Sequence, residues 1–138
     1  MSREEVFEKI KTYLDKMGVK FIHNKEDDVI VTPFKIGDKL YAVIIAVMGD
    51  WVLTVARVAG VDEIPPDASR EELFARLLKD TFYLNEVTYG LTDNGDIVVH
   101  AGSSIEALDY ENFKTEFYSV VAGIHHYVEE IEPEFLAR

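Results

Sequence analysis

The sequence contains no cysteine, and this absence removes several kinds of chemistry. Disulfide bonds, thiolate zinc sites, iron–sulfur clusters and cysteine nucleophiles all require the thiol group. Long apolar runs are also absent, because the longest, Tyr41 to Met48, is far shorter than the roughly 18 residues of a membrane-spanning helix. The charged N-terminus, Met1-Ser2-Arg3-Glu4-Glu5, lacks the apolar stretch of a secretory signal. We therefore expect a cytoplasmic protein with no membrane partner.

Basic side chains are scarce, with 14 Lys and Arg against 26 Asp and Glu and a formal net charge of −12. Binding to a nucleic-acid backbone requires clustered Lys and Arg, so nucleic acid is excluded as a partner. The scarcity is greatest after residue 85, where 11 acids accompany two bases, Lys114 and Arg138. Such an acidic surface is typical of a solvated face that aids solubility, although it could also attract a basic partner.

Motifs for catalysis and cofactor binding are missing as well. No phosphate-binding loop, dinucleotide-binding glycine motif or zinc-protease motif occurs in the chain. His125-His126 and Glu129-Glu130 have the spacing of neighbours on a helix, but adjacent histidines point about 100° apart and cannot easily share a metal ion. His100 has no nucleophile motif beside it, since Ser103-Ser104 lacks G-x-S-x-G surroundings. The sequence thus predicts no catalytic residue, no metal site and no cofactor.

The chain does contain enough apolar material for a core. Of its 138 residues, 48% are hydrophobic, which fits a single domain over residues 1–138. Capping boxes at Ser2-x-x-Glu5 and Ser69-x-x-Glu72 predict helices over residues 3–17 and up to about residue 83. The apolar stripe of the second helix comprises Leu73, Phe74, Leu77, Leu78 and Phe82.

A long third helix is predicted to begin after Asp109, which can cap it. Its buried stripe recurs at helical spacing and comprises Phe113, Phe117, Val120, Val121, Ile124, Val128 and Ile131. The dipeptide Glu132-Pro133 is predicted to end this helix, because proline restricts the residue before it.

The remaining segments are rich in β-branched and aromatic residues and predict strands over residues 19–23, 29–34, 40–48 and 51–59, with two more flanking Asn94-Gly95. The element order is α-β-β-β-(β)-α-β-β-α, and short hairpin turns join most neighbouring strands. This order predicts an α+β fold in which a single antiparallel β-sheet has its helices packed on one face.

The strongest hairpin signal is residues 40–59, where Gly49-Asp50 forms a two-residue turn. Both faces of this hairpin are apolar, although an antiparallel hairpin with one wet face should alternate. We therefore predict that helices cover one face and that the other contacts a second subunit or a client segment, while the choice of face stays open. The tentative partner-binding or dimer-binding set is Ala42, Ile44, Ala46, Met48, Trp51, Leu53, Val55 and Arg57.

The register of the second hairpin, and therefore which residues share a face, depends on the length of its loop. A two-residue loop at Asn94-Gly95 would mix apolar and polar residues on each face. A three-residue loop, Asp93-Asn94-Gly95, places the apolar residues on one face, and we predict this loop. The outer sheet surface is then polar here, so the outer apolar patch should be local to the first hairpin. The predicted pairs are Leu91–Ile97, Tyr89–Val99 and Val87–Ala101.

The stretch from Leu73 to Ile131 resembles the type III secretion chaperone-like fold, including the YbjN-type proteins. The pattern is a Leu-rich helix from Leu77-Leu78 to Leu84-Asn85, a strand, the turn Asp93-Asn94-Gly95-Asp96, a second strand and a long helix rich in aromatics. By element order the resemblance covers nearly the whole chain. It implies that helices one and three lie on one face of the sheet, that the protein tends to dimerise, and that it holds or regulates other proteins.

Two functions are compatible with these observations. The first is a non-enzymatic protein-binding or chaperone-like module that acts through an apolar sheet surface as a homodimer. The second is a small enzyme or small-ligand-binding protein with a pocket between the sheet and the C-terminal helix. Because no motif with geometric roles can be assembled, we predict the first function, with a protein or peptide segment as partner.

Overall fold

The structure, a computed structural model, describes residues 1–136 and has the predicted α+β fold and element order. Six strands form one antiparallel sheet in the order β1-β2-β3-β4-β6-β5. The helices are α1 (Arg3–Met17), α2 (Arg70–Tyr83), α3 (Tyr110–His126) and α4 (Glu132–Phe135). The strands are β1 (Ile22–Asn24), β2 (Val29–Ile36), β3 (Lys39–Met48), β4 (Trp51–Gly60), β5 (Tyr89–Leu91) and β6 (Asp96–Ser104).

Side-chain caps begin the three long helices where the sequence predicts them. The Ser2 hydroxyl accepts the Glu5 backbone N–H at 3.1 Å, and the Glu5 carboxylate accepts the Ser2 N–H at 3.1 Å. Ser69 and Asp109 each accept a backbone N–H from the residue three positions further along. These bonds satisfy N–H groups that the first turn of a helix leaves without partners.

Two strands are shorter than predicted, for local reasons. Strand β1 begins at Ile22 because the Val19 N–H still donates to the Leu14 carbonyl, 3.0 Å away, at the end of α1. Strand β5 begins at Tyr89, three residues after Glu86, which has a left-handed conformation with φ of 66°. The predicted three-residue loop is confirmed, since the predicted pairs Leu91–Ile97 and Tyr89–Val99 are in register, whereas the predicted pair Val87–Ala101 lies outside the β5–β6 ladder.

The third helix does not end at Glu132-Pro133, so that prediction is wrong. After α3 the chain makes a π-helical turn over Tyr127–Ile131 and then continues as α4. Pro133 lies in the first turn of α4, where the missing N–H of proline removes no helical hydrogen bond. The wider turn, and not the proline, separates the two helical segments.

Helices α1 and α3 pack on one face of the sheet, as the resemblance implies. Buried residues alternate along β3 and β4, so the inner face carries Tyr41, Val43, Ile45, Val47, Val52, Thr54, Ala56 and Val58. From α3, the buried side chains Phe113, Phe117, Val120 and Ile124 complete the core. The other face of the first hairpin, which carries the set from Ala42 to Arg57, therefore points away from the helices.

Candidate protein-binding surfaces

The face of the sheet opposite α1 and α3 is apolar and lies open to solvent, and we call it the outer sheet face. Met48 and Trp51 are directly paired across the first hairpin and are 61% and 57% exposed. The predicted pairs Ala46–Leu53 and Ile44–Val55 are in register, whereas Ala42 and Arg57 lie just beyond the last pair of this ladder. The structure thus brings the predicted residues together on one face, while their role in binding stays a prediction.

The outer sheet face extends further than the sequence predicts. Ile22 of β1 pairs with Val31 of β2, which in turn pairs with Ile44 of β3. Pro33 pairs with Ala42 and lies on the same side. The patch is therefore not local to the first hairpin, because the strand order sets β2 and β1 beside β3. Alternation along β2 was the signal that could have assigned Val31 and Pro33 to this face.

Charged side chains contribute little to the outer sheet face. The Arg57 guanidinium, counted in the predicted set, donates to Asp96 at 2.8 Å and to Glu63 at 2.5 Å. These hydrogen bonds raise the pKa of Arg57 and keep its charge paired. An apolar occupant could therefore cover the centre of this face without burying an unpaired charge.

A second apolar surface lies where α2 meets the edge strand β5, and we call it the α2 edge patch. Its exposed members are Leu78, Phe82, Tyr83 and Leu91, of which Phe82 is 81% exposed. They adjoin a groove of about 200 Å³ lined by Phe74, Leu77, Leu78, Tyr89, Gly90, Leu91 and Ile97. Leu78 and Phe82 belong to the same predicted apolar stripe as Leu73 and Leu77, but only Leu73 and Leu77 are buried.

Polar contacts fix the position of α2 at this edge. Thr81 Oγ1 accepts the Tyr89 backbone N–H at 3.0 Å, so α2 covers part of the free edge of β5. The Asp80 carboxylate lies between Arg76 and His126. Its Oδ2 atom accepts a hydrogen bond from Arg76 Nε at 3.0 Å and lies 2.7 Å from His126 Nε2. The spacing of His126 and Glu130 predicts a pair on the helix surface, and the structure corrects this prediction. The His126 ring faces Asp80 of α2 and not Glu130.

The other candidate residues form no catalytic or metal-binding cluster within residues 1–136. His125 lies 3.6 Å from the Glu129 carboxylate on an exposed helix surface. His100 packs beside Gly90, and Ser104 caps a short 3₁₀ helix by accepting the Ala107 N–H. In this part of the chain no three metal-ligating side chains converge, and no helix is both long and apolar enough to cross a membrane.

Together these features define a small α+β protein whose notable surfaces are apolar contact faces. The family model CesT_Tir_1, of the type III secretion chaperones, matches residues 3–135, and the chain belongs to this family. Membership confirms the resemblance seen in the sequence. It makes the chain a non-enzymatic protein with a protein-binding, chaperone-like role.

Solved structures share the fold at low sequence identity. A chain of the ExsC–ExsE complex has a TM-score of 0.68 and 13% identity, with full coverage of both chains. YbjN from E. coli has a TM-score of 0.65 and 18% identity over 96% of each chain. The ExoU–SpcU complex from the type III secretion system of Pseudomonas aeruginosa has a TM-score of 0.62 and 14% identity, covering 91% of this chain and 96% of that one. No curated protein matches the sequence.

Proposed function

We propose that this protein is a cytoplasmic chaperone-like module that binds an apolar client segment on its outer sheet face and acts as a homodimer. The observation that carries the proposal is the uncovered apolar surface across the sheet, from Ile22 through Ile44 to Val55. Apolar patches of this kind on soluble proteins mark interaction sites. The neighbouring structures with this fold include a chaperone–effector complex, HopA1–SchA, which supports a protein segment as the occupant.

The chemistry of the face favours an apolar client over a basic one. Although the chain carries a net charge of −12, the acid among the paired outer-face positions, Asp96, is already bonded to Arg57. Burial of apolar area on binding contributes about 25 cal/mol per Å², and a basic segment would find few carboxylates here. We infer that the client segment carries apolar side chains, either at alternate positions or in a cluster. Shape complementarity to the outer sheet face would then decide which client binds.

The homodimer is proposed to form through the α2 edge patch, which leaves the outer sheet face free for the client. Three bases and three acids make α2 neutral in an otherwise acidic protein, so two copies can approach here without net repulsion. A two-fold axis at this surface would bring each exposed Phe82 and Leu78 against the same patch of the partner. The second copy would then cover the α2 edge patch while the client covers the outer sheet face.

The client proposal predicts that Ala42→Glu weakens binding roughly tenfold or more, because a carboxylate would be buried in an apolar contact. Trp51 is the only tryptophan and lies on the outer sheet face, so its emission should shift to the blue when an apolar segment binds. The measurement is a fluorescence titration with a ten-residue peptide of alternating leucine and serine. The matched control is Ala122→Glu at an exposed position of α3. An unchanged affinity in Ala42→Glu contradicts the proposal.

The homodimer proposal predicts that Phe82→Glu gives a monomer, whereas Leu40→Glu on the outer sheet face leaves the dimer intact. Both side chains are exposed in the single chain, so neither change should unfold it. Burying a charge at the interface should raise the dissociation constant by about two orders of magnitude. Sedimentation equilibrium over a wide range of protein concentration measures this. A wild-type chain that stays monomeric throughout, or a dimer that only Leu40→Glu disrupts, would overturn the assignment.

A further inference from the structure

His100 places a polar ring within the apolar outer sheet face. It lies on β6 and is paired with Val55 of β4, a member of the predicted partner-binding set. Successive residues of a strand point to opposite faces, so His100 shares the open side with Val55, while Val99 is buried in the core. The ring is partly exposed, and a segment bound on this face would reach it.

Gly90 of the edge strand β5 leaves room for this ring. A Cβ atom at Gly90 would lie 3.2 Å from His100 Nε2 and 3.3 Å from His100 Cδ2, which are tight contacts. Gly90 has no positive φ, so the backbone conformation does not require glycine there. The missing side chain instead lets the imidazole pack against the backbone of β5.

The other three of the four histidines each face a carboxylate of this chain. These pairs are His23 with Asp28 at 3.1 Å, His126 with Asp80 at 2.7 Å and His125 with Glu129 at 3.6 Å. The backbone N–H of His100 donates to the Thr88 carbonyl at 3.0 Å, but within residues 1–136 its ring has no hydrogen-bond partner and no acid beside it. His100 is therefore the histidine that a bound segment could supply with a carboxylate.

The charged groups nearest to His100 are already paired with each other. On β4, Arg57 lies diagonally across from His100 and donates to Asp96 and Glu63. On β6, the acid on the same side is Asp96, four residues away, and β5 carries no charged residue. A purely apolar segment would therefore bury a protonated His100 as an unpaired charge, whereas a carboxylate of the segment would pair with it.

The charges of the whole outer sheet face also favour an acidic side chain. The paired strand positions on this side carry two bases, Lys35 and Arg57, and one acid, Asp96. The chain as a whole has a net charge of −12. A carboxylate would therefore meet less repulsion here than over the rest of the surface.

We propose that His100 selects client segments that place one carboxylate side chain, Asp or Glu, against it among their apolar side chains. The carboxylate would accept a charge-assisted hydrogen bond from the imidazolium, while neighbouring apolar side chains of the client contact Val55 and Ile44. This inference rests on the proposed client binding and adds one charged contact to it.

The test compares peptides that differ in one side chain. The parent is the ten-residue peptide of alternating leucine and serine, with both ends capped. Glutamate, or its uncharged match glutamine, replaces each leucine in turn, so that one variant meets His100 in whatever register the peptide binds. The emission of Trp51 follows each titration at about pH 5.5 and about pH 8, near the two ends of the range in which histidine side chains usually change charge.

We expect one glutamate peptide to bind roughly tenfold more tightly than its glutamine match at the lower pH, because charge-assisted hydrogen bonds are stronger than neutral ones. This preference should fall towards the higher pH, where the imidazole is neutral. The parent peptide should change in the opposite sense and bind more weakly at the lower pH, since it would cover an unpaired charge. Equal affinities of the glutamate and glutamine peptides at every position would overturn the proposal.

Two variants assign the effect to this ring. His100→Gln keeps a hydrogen-bonding side chain that cannot become charged, so the preference for glutamate should disappear while the parent peptide still binds at the higher pH. The matched control is His125→Gln, because the His125 side chain is 50% exposed on α3, on the other side of the sheet, and the preference should remain. A preference that survives in His100→Gln refutes the role of His100.

A second measurement keeps the wild-type chain and covers the case in which His100→Gln alters folding. The ring nitrogen chemical shifts of His100 should move with the glutamate peptide and much less with its glutamine match. Equal shifts with the two peptides contradict the proposal.

Failure of this inference differs from failure of client binding itself. If the parent peptide shifts the emission of Trp51 at neither pH, the outer sheet face is not a client site and both proposals fall. If the parent peptide binds but no glutamate peptide is preferred, client binding stands and the selection by His100 is refuted.

Discussion

Replacing Phe117 with alanine is expected to lower the free energy of unfolding by about 3–5 kcal/mol, the range for deleting a buried phenylalanine. Phe117 is fully buried on α3, and its ring centroid lies 5.7 Å from that of Phe34 on β2 and 5.9 Å from that of Phe113. Removing the ring leaves a cavity between the sheet and the helix that covers it. Neighbouring rings cannot fill this space without leaving their own contacts.

Chemical denaturation followed by circular dichroism measures this loss, and the matched control is Phe82→Ala. Phe82 is 81% exposed, so the same substitution there should change the stability of the single chain by about 0.5 kcal/mol or less. Measuring the free energy of unfolding at low and at high protein concentration separates a contribution of Phe82 to dimer stability from its contribution to the stability of the single chain. Equal losses at both positions would mean that α3 does not pack on the sheet as described.

Gly123→Ala is expected to destabilise the protein by about 1–3 kcal/mol, although alanine normally stabilises a helix interior relative to glycine by about 1 kcal/mol. A Cβ atom at this position of α3 would lie 2.3 Å from Val99 Cγ1 on β6. Val99 is fully buried and β-branched, so its side chain has little freedom to move. Steric overlap should therefore outweigh the gain in helix propensity.

A double-mutant cycle with Val99→Ala tests this cause. Val99→Ala alone should destabilise the core by leaving a cavity, but it removes the methyl groups that the new Cβ would meet. The double variant should therefore be less destabilised than the sum of the two single variants, by about 1 kcal/mol or more. Additive losses, or a stabilising Gly123→Ala, would show that the helix does not approach β6 this closely.

Local chemistry accounts for the features that could be predicted. The capping residues Ser2, Ser69 and Asp109 begin helices in the structure because each interaction spans only three residues. The same holds for the turns, since Gly49-Asp50 and Asp93-Asn94-Gly95 set the registers of both hairpins. These signals need no knowledge of where other elements lie.

The features that could not be predicted depend on neighbours that are distant in sequence. The sequence places Leu78 and Phe82 in the apolar stripe of α2, yet they are exposed because this helix lies at the edge of the sheet beside a three-residue strand. The π-helical turn after His126, which lets the chain continue past Pro133, is likewise not visible in the apolar pattern.

The sequence by itself determined the element order, the two hairpin registers and the exclusion of thiol chemistry, since each rests on composition or on contacts between near neighbours. It also determined that both faces of the β3–β4 hairpin are apolar, but for that reason it could not say which face is covered. Only the tertiary structure decided this: α1 and α3 dock on the side of Val43 and Val52, so the side of Ile44 and Trp51 stays open. Which face of the hairpin is buried depends on where the helices pack. A strand pattern in which both faces are equally apolar cannot indicate this.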